Sequence, residues 1–305
     1  MTIPDFQSLM RRVLEKSANG EIKTSDVVEA LANDLGLSNE ERAQLLPSGR
    51  QTTFANRVHW AKSYLNMAGL VENTRRAHFH ITSRGSEVLG TGPDRIDIQF
   101  LSQFPEFAAR REGKESGVTP SDHVEEGQNT TLTPDETIRQ AQARLETALS
   151  AELLARVSVG TPAFFESVVV RLLIAMGYGG SVSDLSSALI GGAGDGGADG
   201  VISQDPLGLD RIYVQAKRYS EGNTVGSGAI RDFFGSLDRF KATKGLFVTT
   251  STFSPSARET AELLSKRIVL VDGPQLARLM IRHCVGCRAE ETIEIKRIDD
   301  EFFEV

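Results

Sequence analysis

Residues 191–218, GGAGDGGADGVISQDPLGLDRIYVQAKR, constrain what this chain can fold into more than any other stretch. A glycine-rich turn leads into a short β-branched run, VISQ. A turn signal, PLG, follows, and then RIYVQAK, a second run of strand composition. Antiparallel partners count outward symmetrically from their turn, so a hairpin centred near Leu207 sets Asp199 opposite residues 215–217. Gln215 and Lys217 are two residues apart and leave the same face of the strand. An acid, an amide oxygen and an ammonium then converge at one edge of a sheet, a candidate metal-dependent phosphodiesterase site. Asp195, inside the turn, reads as a residue that bonds the backbone of the glycine loop.

Other chemistries fail on context. Residues 192–197, GAGDGG, satisfy GxGxxG literally, but polar SVSDLSSALI precedes them and a strand follows, so a dinucleotide fold is excluded. No GKS or GKT completes a P-loop. Without an apolar run of membrane length or a signal-peptide core at the start, the chain is expected to be cytoplasmic, and nucleoid-associated when it acts. The two cysteines, Cys284 and Cys287, lack the second ligand pair of a structural zinc and read as ordinary helix-end residues.

The amino-terminal part has its own pattern. Over residues 52–67, Phe54, Val58, Ala61, Leu65 and the following Ala68 form one helical stripe that should face a core. The opposite face carries Asn56, His59, Ser63 and Asn66, with Arg57 and Lys62 on its flanks. A strand, a basic turn with Arg75 and Arg76, and a second strand follow, which makes a winged helix-turn-helix pattern. Residues 50–84 hold six basic side chains against one acid, Glu72, in a chain whose net charge is −7. So concentrated a patch suits phosphate contacts with duplex DNA. Asn56, Arg57, His59, Lys62, Ser63, Arg75 and Arg76 are the candidate DNA-binding residues.

Residues 105–136 carry eight acids and three bases among scattered Gly, Pro, Ser and Thr, and read as linker. Pro134, Asp135 and Glu136 open a long helix. AFFESVVVRLLIAMGY, a helix apolar on most sides, follows it, and Glu166 lies in its first turns among Phe164, Phe165, Val168 and Val169. A carboxylate there needs a partner or a metal, or else remains partly exposed. Alternating helices and strands then complete an α/β sandwich. The expected organisation is a winged-helix DNA-binding domain over 1–97 and an acidic flexible linker over 98–137. A nuclease domain over 138–291 with a mixed central sheet follows, and an acidic tail over 292–305.

The hairpin, with GGAGDGGADGVI, YVQAKR, GLFVTTSTFSPSA and IVLVDG, resembles the PD-(D/E)xK nucleases, and more closely the Mrr family of type IV restriction endonucleases. NRVHWAKSYLNMAGLVE extends the resemblance into the amino-terminal domain. The resemblance implies that Asp199 is the metal-binding aspartate. Gln215 would stand where most of the superfamily has an acid, as in the Mrr branch, and Lys217 would be the motif's lysine. Glu166 would be the supporting acid on the first core helix. Asp199, the Gln215 side-chain oxygen and the Ala216 carbonyl would hold Mg²⁺, or Mn²⁺ in its place. The implied activity is cleavage of methylated double-stranded DNA by a homodimer or larger assembly. The alternatives are a structure-selective nuclease such as a junction resolvase, or a DNA-binding regulator with a degenerate nuclease fold.

Overall fold

The computed structural model describes residues 2–112, 131–179, 199–205, 207, 209–219, 222–296 and 302. Asp195 and its glycine turn, the middle of the expected linker and most of the acidic tail lie outside them. The chain divides into two units, one reaching to Gln142 and the other Ala143–Ile295.

The first unit opens with α1 (Phe6–Lys16), β1 (Ile22–Lys23), α2 (Thr24–Asp34), α3 (Asn39–Ala43) and α4 (Thr53–Met67). β2 (Val71–Asn73) and β3 (His78–Ile81) then pair antiparallel, and β1 completes a sheet in the order β1-β3-β2. This is the winged-helix order, with α4 in the position of the helix that enters a groove. Phe54, Val58, Ala61, Leu65 and Ala68 are each 2% exposed or less, so the stripe read from their spacing is the core face of α4. Side-chain oxygens of Thr52 and Thr82 cap α4 and α5 (Ser83–Thr91).

This core does not stop at residue 97. α6 (Ile98–Leu101) and α7 (Pro105–Glu112) add Ile98, Leu101 and Phe107 to the same cluster as Phe6 and Leu65. Acid-rich composition concealed these apolar residues, and the boundary expected at 97 moves accordingly. The Thr133 hydroxyl oxygen accepts from the Glu136 N–H while Glu136 Oε2 accepts from the Thr133 N–H at 2.9 Å. That capping box starts α8 (Pro134–Val159).

In the second unit α8 is followed by α9 (Pro162–Ala175), β4 (Gly200–Ser203), β5 (Arg211–Lys217), β6 (Thr224–Val225) and α10 (Ser227–Arg239). Then come β7 (Lys244–Thr249), β8 (Thr252–Phe253), α11 (Pro255–Leu263), β9 (Arg267–Val271) and α12 (Gly273–Arg282). The main sheet runs β4-β5-β7-β9, antiparallel between β4 and β5 and parallel across the rest. Leu153, Val157, Phe165, Val169, Leu173 and Met280 from α8, α9 and α12 cover one face, meeting Ile202, Val214 and Val248. Ile230, Phe233, Leu237 and Ala257 from α10 and α11 cover the other, meeting Phe247 and Ile268. Phe247 and Val248 fall into different clusters because successive strand residues point to opposite faces. Each fully buried side chain of this size contributes about 1.5–3 kcal/mol, so two covered faces hold β5 firmly in place.

Candidate active site

The hairpin has the register its turn implies. Ile202 pairs with Ile212 and Gly200 with Val214, while the Asp199 N–H donates to the Val214 carbonyl at 2.8 Å, so Asp199 lies across from Gln215. Asp205 shapes the turn, its carboxylate accepting from the N–H groups of Leu207, Leu209 and Asp210. Ile202, Val214 and Ala216 face the α9 side. By alternation Asp199, Gln215 and Lys217 share the opposite face.

Asp199 Oδ2 accepts from Gln215 Nε2 at 2.8 Å and from the Ala216 N–H at 2.7 Å. Gln215 is buried at 7% exposure, and Lys217 is half-buried at the strand end. The N–H and C=O of one strand residue leave the same side, so the Ala216 carbonyl also opens toward Asp199. Among the described residues β5 has no β4 strand partner beyond Val214, whereas its other edge remains paired with β7 as far as Lys217 and Thr249. Asp199 stands beside Ala216 on the β4 side of β5.

Glu166 is half-buried on α9. Burial, and then the Asp199 charge, push its carboxyl above the usual carboxylate range. Among the described residues no three His, Cys, Asp or Glu side chains gather into a cation site by themselves. A cation at Asp199 would therefore need neutral oxygens as well. The Gln215 amide turns its Nε2 to Asp199, so its oxygen would have to rotate in, while the Ala216 carbonyl leaves the strand on the Asp199 side. Carboxylate, amide oxygen and carbonyl make an all-oxygen donor set, which fits a hard divalent cation.

The seven candidate DNA-binding residues are not equivalent. Asn56 is 2% exposed, which excludes it from reading a base. Its Nδ2 donates to Asp135 Oδ2 at 3.0 Å, and its Oδ1 accepts from the Thr133 hydroxyl at 2.8 Å. Arg57 is also engaged, with Nη2 donating to Glu136 Oε1 at 2.8 Å and Nη1 to the Ile3 and Pro4 carbonyls. Trp60 Nε1 donates to Asp135 Oδ2 at 2.8 Å. The start of α8 thus covers the first turns of the α4 face that helical phase had left open, and the two assignments are corrected. Sequence reading missed Thr133, Asp135 and Glu136 as its partners; Pro134, Asp135 and Glu136 marked a helix start but not its destination.

Lys62 lies 5.0 Å above the Phe79 ring, and Arg75 pairs with Glu21 at 2.8 Å. Arg75 and Thr74 together hold the Glu21 carboxyl down to about 2. Ser63 is half-buried, whereas His59 and Arg76 are exposed. Residues 72–77 of the wing are exposed throughout.

A mixed sheet between two helical layers, with an aspartate at one strand start and Gln-x-Lys on its neighbour, defines a restriction-endonuclease-like α/β enzyme joined to a winged helix. A family model described as restriction endonuclease matches residues 158–280, and one described as the Mrr N-terminal domain matches residues 6–91. Over 311 residues, with all of both chains covered, the sequence is 34% identical to the type IV methyl-directed restriction enzyme EcoKMrr of Escherichia coli (strain K12). The chain belongs to the Mrr family of restriction endonucleases and is an endodeoxyribonuclease. Among solved structures it is similar to MspJI restriction endonuclease in complex with a 27-mer oligonucleotide, at TM-score 0.36 and 16% identity, over 71% of this chain and 52% of that one. For restriction endonuclease FokI the TM-score is 0.31 and the identity 13%, over 92% and 44%. No helix among the described residues is long and apolar enough to cross a membrane.

Proposed function

We propose that this chain cuts methylated double-stranded DNA with Mg²⁺, Mn²⁺ serving as a substitute, at the site formed by Asp199, Gln215, Ala216, Lys217 and Glu166. The observation that carries this reading is the Asp199–Gln215 cross-strand pair, with Lys217 two residues on and on the same face. Asp199, the Gln215 side-chain oxygen and the Ala216 carbonyl would hold the cation, and Glu166 would support it directly or through water. A cation bound there supplies a polarised scissile phosphate and a bound water of lowered pKa. Lys217 carries the positive charge that orients the attacking water and balances the charge gathering on the pentavalent phosphate.

The winged helix delivers the duplex, through Arg75 and Arg76 on the wing and His59, Lys62 and Ser63 on α4. The named specificity of the E. coli relative, methyl-directed, is the ground for proposing a methylated substrate. Two strands require two cutting sites, so the acting form is a homodimer or a larger homo-oligomer. The test is incubation of plasmids carrying different methylation patterns with the enzyme and Mg²⁺, against a chelator control. Cutting confined to one or more methylated plasmids and abolished by chelation supports the reading. Equal cutting of unmethylated plasmid removes the methylation part, and cutting in chelator removes the metal part.

A further inference from the structure

The string VTTS closes β7, and nothing in the cutting chemistry above uses its hydroxyls. Thr249 is fully buried and Thr250 is 5% exposed. The register pairs Thr249 with Lys217, so the residues that follow β7 lie beside those that follow β5. There the Thr250 hydroxyl makes two hydrogen bonds to one residue, accepting from the Tyr219 N–H at 3.0 Å and donating to the Tyr219 carbonyl at 2.9 Å. Tyr219 is the second residue beyond Lys217. Between them, Arg218 Nη1 donates to the Ser158 carbonyl at 2.9 Å.

Thr250 is itself held. The Ser251 N–H donates to Thr249 Oγ1 at 3.2 Å, and the Gly273 N–H donates to the Ser251 carbonyl at 2.8 Å. A Cβ at Gly273 would lie 2.3 Å from the Thr250 carbonyl oxygen, so the glycine of IVLVDG lets the α12 start close against this turn. Two sequence strings with no direct part in the chemistry thus meet at the turn that holds Thr250.

We propose that Thr250 is a positioning residue for Lys217, fixing the exit of β5 so that the ammonium stays aimed at the Asp199 edge. The proposal rests on the reading of Lys217 above. Beyond Val214 the described residues pair β5 with β7 alone, and that ladder ends at Lys217, so the Thr250–Tyr219 bonds are what continue the hold past the lysine. Only a hydroxyl can accept from an N–H and donate to a C=O at the same point, so serine can replace threonine here and isosteric valine cannot. A displacement of about 1 Å at a reacting group is enough to cost about 100-fold in rate.

The experiment uses the full chain, methylated plasmid and Mg²⁺, comparing wild type with Thr250→Val, Thr250→Ser and Lys217→Ala, and follows amide exchange at Tyr219 in parallel. Thr250→Val is expected to cut about 100-fold more slowly at saturating DNA, with DNA affinity unchanged and Tyr219 exchanging faster. Thr250→Ser should stay within about threefold of wild type in both readouts. The proposal is overturned if valine cuts as serine does, if serine loses as much as valine, or if valine acts through weaker DNA binding. A freely exchanging Tyr219 amide in the wild type overturns it even if Thr250→Val does not fold. Full activity in Lys217→Ala would overturn the reading of Lys217 and this inference together, whereas an inactive Lys217→Ala beside an active Thr250→Val overturns the inference alone.

Discussion

Burial, and then the Asp199 charge, favour the protonated form of the Glu166 carboxyl. A folded carboxyl held above its unfolded value binds its proton more tightly in the native state. Its contribution to stability is full below the ordinary carboxylate range and is lost as pH rises through the raised value. Without metal, Glu166→Gln should therefore raise Tm at about pH 8, and the gain should vanish below about pH 4. Thermal melts across that range, with and without Mg²⁺, check this; added cation should narrow the difference because it stabilises the wild type more. Gln215 is neutral where the wider superfamily has an acid, so Gln215→Glu should tighten Mg²⁺ binding by about tenfold, measurable by calorimetry. Asp199, Gln215 and Lys217 were legible in sequence because a hairpin register is counted from its own turn. Asn56 was not: the residues that bury it, Thr133 and Asp135, are 77 and 79 positions away, and helical phase carries no information about cover from a distance.

α4 and α8 show what that difference means for whole elements. Asn56→Ala should destabilise the first unit by about 1–3 kcal/mol, since it leaves the Thr133 hydroxyl and the Asp135 carboxylate short of a partner. Arg57→Ala should cost at least as much, because Glu136 is 11% exposed and would lose its guanidinium. Denaturant melts of the variants read both losses; a change in DNA affinity with no change in stability would return these residues to the DNA interface. On the sheet side, Gly273→Ala forces a Cβ toward the Thr250 carbonyl and should cost about 1–3 kcal/mol. The helical stripe of α4 and the strand pair β4–β5 could be read from periodicity. α6 and α7 could not, because they are too short to show a period and only the assembled core shows where they go.

For the whole molecule, the order of the two units was visible in sequence as a basic, periodic half and an alternating α/β half. The join was not, since acids outnumber bases over 105–136, a stretch that includes both α7 and the start of α8. On the proposed reading, phosphate contacts belong to the first unit and cutting to the second, so the two activities should separate. Replacing Arg76 and His59 by alanine should weaken DNA binding and flatten its salt dependence, while Tm stays unchanged. Cleavage should recover at high enzyme concentration. The most direct test is single-turnover cleavage of methylated plasmid in Mg²⁺ by wild type, Asp199→Asn and Lys217→Ala, with DNA affinity and Tm measured alongside. The site described predicts that each variant folds and binds DNA like wild type yet cuts about 1,000-fold more slowly. A variant that folds, binds and cuts within about threefold of wild type would contradict it.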